Sequence, residues 1–423
     1  MNDYRISRSA FAKGLGLGAA AAAAGFPAFI PALGEAADAI KIGQIEELTG
    51  VYAAPASNEV RGAQMAVDAW NKRGGVLGRR VDVVLEDDSN NPGTAVLKAR
   101  KLVNQDKVDA LLGTLNSGSS LSVSEAANTM GVFFMDSGGH ADEISGSKCH
   151  WNTFQVPHTT WMLAQATGYS IAKKFGKKWY MITPDYAFGH ALAAAYEDLA
   201  KRIGCTIVAN ELTPLGTSDF SPYLTKVEGA KPDCLLVLVQ GADWVNCMKQ
   251  ASSFGLFKKL PVAGPYVEME NVWALPPELR VGYWGCEWYY KNDLVLGKGH
   301  TEGRQFVDEY RKKFGMPPTE RNCFAYVAMD RLLWAMSDAK STDPIKVARA
   351  LEGAKFRSLW QGTPYFRKED HSLMWPMWFG RLRPNGTPGD KYDVVEIIDR
   401  QEPETIAKSA ADQATVCRLN YPA

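Results

Sequence analysis

Between Ile40 and Leu85 the chain writes out one complete wound unit, and that unit restricts the fold more than any other stretch. Ile40-Lys41-Ile42-Gly43 alternates as a strand does and runs into the loop Leu48-Thr49-Gly50-Val51-Tyr52. Ala63, Val67 and Trp70 then recur at spacings of four and three, the mark of one buried helix face. Asn71-Lys72-Arg73-Gly74-Gly75 stops that helix, because glycine accepts the positive φ of a helix end where a Cβ would clash. After the tight link Val76-Leu77-Gly78-Arg79 comes a second strand, Val81-Asp82-Val83-Val84-Leu85. The loop of such a unit lies at the carboxyl end of its strand, where open α/β sheets bind ligands.

The alternation continues along the chain. Strands are expected at 108–112, 132–135, 179–182, 206–209 and 261–263, with helices at 95–105, 119–130, 187–203 and 244–254. Helical patterns return at 301–314 and 325–339, and a strand-rich, aromatic end runs from 365 to 398. Short apolar strands between amphipathic helices imply parallel sheets covered on both faces. Such a sheet seldom grows past ~250 residues, so a chain of 423 residues is expected to divide into two lobes. Lys plus Arg and Asp plus Glu number 47 each, so no charge excess points to nucleic acid or an anionic membrane.

Residues 1–39 read as an export signal: Arg5, Arg8 and Lys13, an alanine-heavy apolar run, then Ala37-Asp38-Ala39 as a small-x-small cleavage site. Ser7-Arg8-Ser9-Ala10-Phe11 resembles a twin-arginine signal with one arginine replaced, which leaves the export route open. Cleavage near Ala39 would free the protein in the periplasm. The glycines at 14, 16 and 18 follow no strand and carry no nucleotide-binding argument. Of seven cysteines, Cys234 lies in an apolar run and reads as a buried hydrophobe, whereas Cys149 and Cys417 lie in polar segments and are a candidate disulfide. The six histidines are scattered and no CxxC or HExxH occurs, so no metal, cofactor or catalytic residue is expected.

From 40 to about 398 the chain resembles the type I periplasmic solute-binding proteins, in the branch typified by the leucine/isoleucine/valine-binding proteins of ABC importers. The resemblance is carried by the first unit with Gly62-Ala63, by Asp87-Asp88, Pro92 and Leu112-Gly113, by Asp185-Tyr186-Ala187-Phe188-Gly189, by Asp219-Phe220-Ser221, and by Lys231-Pro232-Asp233. It implies two doubly wound, Rossmann-like α/β lobes joined by three crossover strands, placed near Pro157, Trp288 and Arg367. Lobe 1 is then 40–157 with 289–366, lobe 2 is 158–288 with 367–400, and 401–423 is a C-terminal tail. Ligand would be held between the lobes.

Candidate contacts cluster where strands end. Leu112-Gly113-Thr114-Leu115-Asn116-Ser117-Gly118-Ser119 opens a helix, whose free N–H groups and hydroxyls suit a carboxylate. Plain capping by Ser117 or Ser119 is the other reading, and the resemblance implies that Ser117 holds the ligand. Gly138 and Gly139 allow close backbone approach. His140 stands where the family has a hydroxyl residue, and it could donate to a carboxylate or cap its loop. Asp136-Ser137-Gly138-Gly139 also matches a protease nucleophile segment, but the α/β pattern and the missing partner segments argue against that chemistry. In the second lobe Tyr186 and Phe188 are expected at the cleft, Phe188 alternatively in the core, together with Gln240. Asp243 faces the cleft or caps a helix starting at Trp244.

Tyr266 is the informative departure. The resemblance puts an acidic residue there to pair with a ligand ammonium, and a tyrosine supplies no such charge at neutral pH. Glu268 or Glu270 could slip into that role, but both are expected as solvated loop carboxylates; Glu369-Asp370-His371, near the third crossover, is a hinge element or, as expected here, a lobe-surface turn. Tyr52, Phe188, Tyr266 and the run Trp284–Tyr290 offer aromatic walls, unless those tryptophans fill cores. The expectation is a non-enzymatic, monomeric receptor for a small carboxylate without an α-ammonium, aromatic or apolar in body, serving the permease subunits of an ABC transporter. Its rivals are a receptor for a true branched-chain amino acid and a sensor that presents its ligand to a signalling partner.

Overall fold

The computed structural model describes residues 38–422, so the expected leader lies outside the described residues apart from its last two positions. The first lobe winds β1 (Ile40–Glu46), α1 (Ala53–Lys72), β2 (Val81–Asp87), α2 (Pro92–Asn104), β3 (Ala110–Gly113), α3 (Ser117–Met130), β4 (Phe133–Asp136) and β5 (Thr153–Gln155). These five strands form one parallel sheet in the order β2-β1-β3-β4-β5. Every residue of β3 and β4 is buried, as a sheet covered on both faces requires.

The chain then crosses to a second lobe. It comprises α4 (Thr160–Phe175), β6 (Lys178–Pro184), α5 (Ala187–Ile203), β7 (Thr206–Thr213), α6 (Ser221–Leu224), α7 (Val227–Ala230), β8 (Cys234–Val237), α8 (Gly241–Ser253), β9 (Val262–Gly264), α9 (Met269–Ala274) and β10 (Tyr283–Cys286). A second crossing leads to α10 (Asp293–Leu296), α11 (Thr301–Phe314), α12 (Glu320–Asp338) and α13 (Pro344–Leu351), of which α12 lies along α1 of the first lobe. The third crossing carries the ribbon β11 (Tyr365–Phe366) and β12 (Leu373–Met374) back to β13 (Met377–Leu382) and β14 (Val395–Gln401). The second sheet runs β14-β13-β10-β9-β8-β6-β7, parallel from β10 to β7 and antiparallel at its β13–β14 edge.

The Gly74-Gly75 stop behaves as its chemistry demands. Gly75 sits at φ 78°, its N–H reaches Trp70 O at 2.9 Å, and a Cβ there would run into the Arg79 carbonyl. Val76 and Arg79 close the link as a small antiparallel bridge, with Leu77 and Gly78 both at positive φ.

Two expectations need correction. α12 begins at Glu320, not near 325, because its polar first turn carries no apolar pattern; a Thr319–Asn322 capping box starts it. The turn at 368–370 is there and Glu369 is exposed in it, but Asp370 and His371 are buried rather than at the surface, and His371 stacks on Phe154 at 3.8 Å. The segment expected as a C-terminal tail carries structure of its own after β14. It forms α14 (Pro403–Ile406), packed on α4, and α15 (Ala410–Val416), which returns to the first lobe. There a disulfide joins Cys149 to Cys417 with Cα atoms 5.6 Å apart, and the Gln413 side chain donates to Ser145 O at 3.0 Å.

Candidate functional site

In the first lobe the tips of β1, β3 and β4 come together. Glu47, just past β1, accepts the Leu115 and Asn116 N–H groups at 2.9 and 2.6 Å and so fixes the entry to α3. The cap of α3 is Asn116, whose side chain accepts from Gly118 and Ser119 N–H. Neither Ser117 nor Ser119 caps it, because the shorter serine side chains already lie inside the first turn. Ser117 Oγ instead accepts from His140 N at 3.1 Å and Ala141 N at 3.2 Å, which leaves its own proton to donate. Asp136 Oδ1 takes Gly139 N and Ser120 Oγ, both at 2.9 Å, and burial pushes its carboxyl well above the usual range. Gly138 is obligatory: a Cβ would stand 2.6 Å from Glu59 Oε1 and 2.7 Å from Leu115 Cα.

From the second lobe, Tyr186 and Phe188 at the start of α5, Gln240 before α8, and Tyr266 after β9 face these tips. The ring of Tyr266 stacks on His140 with centroids 5.0 Å apart and planes 10° from parallel. Phe188 stands edge-on to both, at 5.9 and 6.2 Å. Gln240 Nε2 donates to Tyr266 O at 3.4 Å. Tyr52 Oη meets Tyr186 Oη at 2.6 Å across the lobes, and Ala242 N donates to Val51 O at 3.2 Å beside it. The lobes are therefore in contact at this seam, and rings of both meet there. All nine sequence-predicted contacts lie at this seam. Trp284 packs instead against Trp244 in the sheet core, and Trp288 against Phe306.

Several residues that dominate the seam were not anticipated. Arg321, in the polar first turn of α12, is 1% exposed. Its Nη1 donates to Glu59 Oε1 at 3.2 Å and Gly138 O at 3.3 Å; its Nη2 donates to Glu268 Oε1 at 2.8 Å and Tyr266 Oη at 3.2 Å. Glu268 is thus no solvated carboxylate: it is buried, with Oε2 accepting from Gly241 N at 3.0 Å and Asn271 Nδ2 at 2.8 Å. Glu270 is corrected likewise, since both its carboxyl oxygens are buried. Asp243 does not cap α8, which starts two residues earlier at Gly241; its Oδ2 accepts from Gly216 N at 2.9 Å.

Glu287 is the one residue that the Trp284–Tyr290 run sends to the seam. Its carboxylate takes His140 Nε2 and His158 Nδ1, each at 2.9 Å, and His158 N at 3.2 Å. Burial would raise it, but the two imidazoles outweigh burial and hold it well below the carboxylate range. Burial lowers His140, against the pull of Glu287, and its Nε2 faces the Glu287 carboxylate. His158 has an acceptor facing each ring nitrogen, Glu287 at 2.9 Å and the Trp375 carbonyl at 3.2 Å. Trp375 Nε1 donates to Val156 O at 3.1 Å and its ring stacks on His158 at 4.1 Å. One histidine thus ties all three crossings together immediately behind the aromatic cluster.

The arrangement binds and closes; among the described residues no group of three or more His, Cys, Asp or Glu is placed to hold a metal ion. A hollow of about 790 Å³ between α1, α11 and α12, edged by Asp68, Lys72, Glu309 and Lys313, shares no residue with the seam.

The comparisons with known proteins agree with this geometry. Residues 39–387 match the model of the periplasmic binding protein family. The chain is 27% identical over 327 residues to Leu/Ile/Val-binding protein homolog 7 of Brucella suis, covering 74% of this chain and 80% of that one. A periplasmic binding protein of Burkholderia mallei superposes with a TM-score of 0.82 at 28% identity, covering 89% of this chain and 98% of that one. The amino acid ABC transporter substrate-binding protein of Pseudomonas fluorescens Pf-5 gives 0.82 at 25%, covering 91% and 100%. Two wound lobes, three crossings and a seam lined by strand tips place this chain in the periplasmic binding protein family, among the solute-binding receptors of ABC transporters.

Proposed function

We propose that this receptor captures a small carboxylate that lacks an α-ammonium group and has an aromatic or short apolar body, and hands it to the permease subunits of an ABC importer in the periplasm. The observation that carries the reading is the state of the second lobe's acids. Where an ammonium would need a free carboxylate there stands Tyr266, stacked on His140. The next acid, Glu268, is already occupied by Arg321, Gly241 and Asn271. An ammonium at Glu268 would have to displace the Arg321 guanidinium already bound there in a desolvated site, which is costly. The rings of Tyr52, Tyr186, Phe188 and Tyr266 offer flat apolar walls instead. Closure would be a population shift held by contacts from both lobes at once.

Thermal-shift and tryptophan-fluorescence titrations with benzoate, 4-hydroxybenzoate, short-chain carboxylates and leucine test this. Saturable binding of an aryl or short-chain carboxylate, at least tenfold tighter than leucine, is expected. Tight leucine binding with no response to the other acids sinks it. A branched-chain amino acid is the second reading, supported by the names of the relatives and by the buried position of Glu268 beside Tyr266.

A further inference from the structure

We propose that Arg321 takes the carboxylate of the bound solute, and that Glu59 and Glu268, one from each lobe, hold its guanidinium in place until that exchange. This rests on reading the seam as a carboxylate site, and it names the group that would make it one. Four observations carry it. Arg321 is buried where first-lobe and second-lobe residues meet, and its Nε, also buried, has no partner. Its surroundings are ring faces, with Phe324 at 5.6 Å and Tyr266 at 5.8 Å from the guanidinium carbon. Its bonds to the first lobe are long, 3.2 and 3.3 Å, against 2.8 Å to Glu268, so the Glu59 side is the one to yield. Finally, neither glutamate is stripped if the guanidinium turns: Glu59 keeps Ser137 Oγ at 2.6 Å, and Glu268 keeps Gly241 N and Asn271 Nδ2. A planar carboxylate matches the guanidinium fork in a way a lysine ammonium does not.

The charge count adds a consequence. Two glutamates around one arginine carry a net single negative charge, and a second anion on Arg321 would double it in a dry site. A proton taken up by Glu59 restores the count. The charged groups facing Glu59 are Arg321 from α12, Glu46 and Glu47 at the end of β1, Asp136 at the end of β4, and Glu268 from the second lobe. Of these only Arg321 favours the ionised form. Burial already raises Glu59 despite Arg321 and Ser137, so drawing Arg321 toward an incoming anion raises it further. Solute binding should therefore consume protons and tighten as pH falls.

The experiment uses the full exported chain with benzoate and leucine as acids and benzamide and leucinamide as their uncharged-carboxyl counterparts. Calorimetry is run in two buffers of different ionisation heat. For whichever acid binds wild type, Arg321→Lys is expected to lose about 100-fold in affinity and most of the preference for acid over amide. Glu59→Gln removes one of the two carboxylates that hold the guanidinium, so it is expected to shift affinity and, beyond that, to lose the proton uptake and the pH dependence. Arg321→Lys binding as tightly as wild type overturns the proposal. So does undiminished proton uptake in Glu59→Gln, which decides the matter even if Arg321→Lys fails to fold. Leucine preferred over benzoate sinks the arylcarboxylate reading while the Arg321→Lys loss still supports the anchor; binding of neither acid overturns both.

Discussion

Glu270 shows what the seam costs the fold. Both of its carboxyl oxygens are buried without a partner, as are those of Glu320. Burial and the facing Glu268 raise Glu270 to about 8, against the pull of Arg321. A raised carboxyl supports the folded state fully only below its unfolded value near 4.5, and that support drains away as pH climbs to about 8. Every tenfold gain in proton affinity on folding is worth about 1.4 kcal/mol, so the rise from 4.5 to about 8 puts the penalty at pH 8 on the order of 4–5 kcal/mol. Melting curves should show wild type losing several degrees between pH 5 and pH 8, with a shallower loss in Glu270→Gln, where the other raised carboxyls remain. Parallel pH profiles for the two proteins would remove the argument. Glu270 was expected in solvent because a carboxylate between Met269 and Asn271 carries no local mark of burial. The same blindness covers Arg321 and Glu59, which pair across 262 positions. Periodicity reports which face of an element is apolar; it is silent on which polar side chains meet across a seam.

At the scale of elements, strand tips were legible and helix starts less so. Loops after β1, β3, β4, β6, β8 and β9 could be placed from apolar runs ending in Gly, Ser and Asp, and all nine proposed contacts come from them or the helix starts they open. α12 was foreseen five residues short, since Glu320-Arg321-Asn322 breaks the apolar pattern at its most consequential turn. At α3 the residue before the helix does the capping. Asn116 serves the backbone, and that frees Ser117 to anchor the His140 loop and to donate its own proton. Ser117→Ala should therefore weaken carboxylate binding at least tenfold while lowering stability by only about 1–2 kcal/mol, the cost of two buried N–H groups losing an acceptor. Unchanged affinity would take Ser117 out of the site.

For the molecule as a whole, the alternation of elements was enough to read two wound lobes, because buried parallel sheets write long uninterrupted signals. The path after β14 was not readable, since a short helix pinned by one cysteine leaves little pattern. That path matters. It leaves the second sheet, packs α14 on α4, ties Lys408 to Asp142 at 2.9 Å, and ends in the Cys149–Cys417 bond 268 positions long. Closing so long a loop in the unfolded chain is worth up to about 5 kcal/mol. Cys149→Ser with Cys417→Ser should lower the melting temperature by several degrees; no change would show that the bond adds nothing.

The same path works as a leash. Only residues 407–409 separate α14 from α15, roughly 10 Å when fully stretched. However loosely the three crossings pivot, the jaws can gape no wider than that slack permits. An oxidised receptor would thus present its transporter with a stopped, uniform open form, and a reduced one with a wider range.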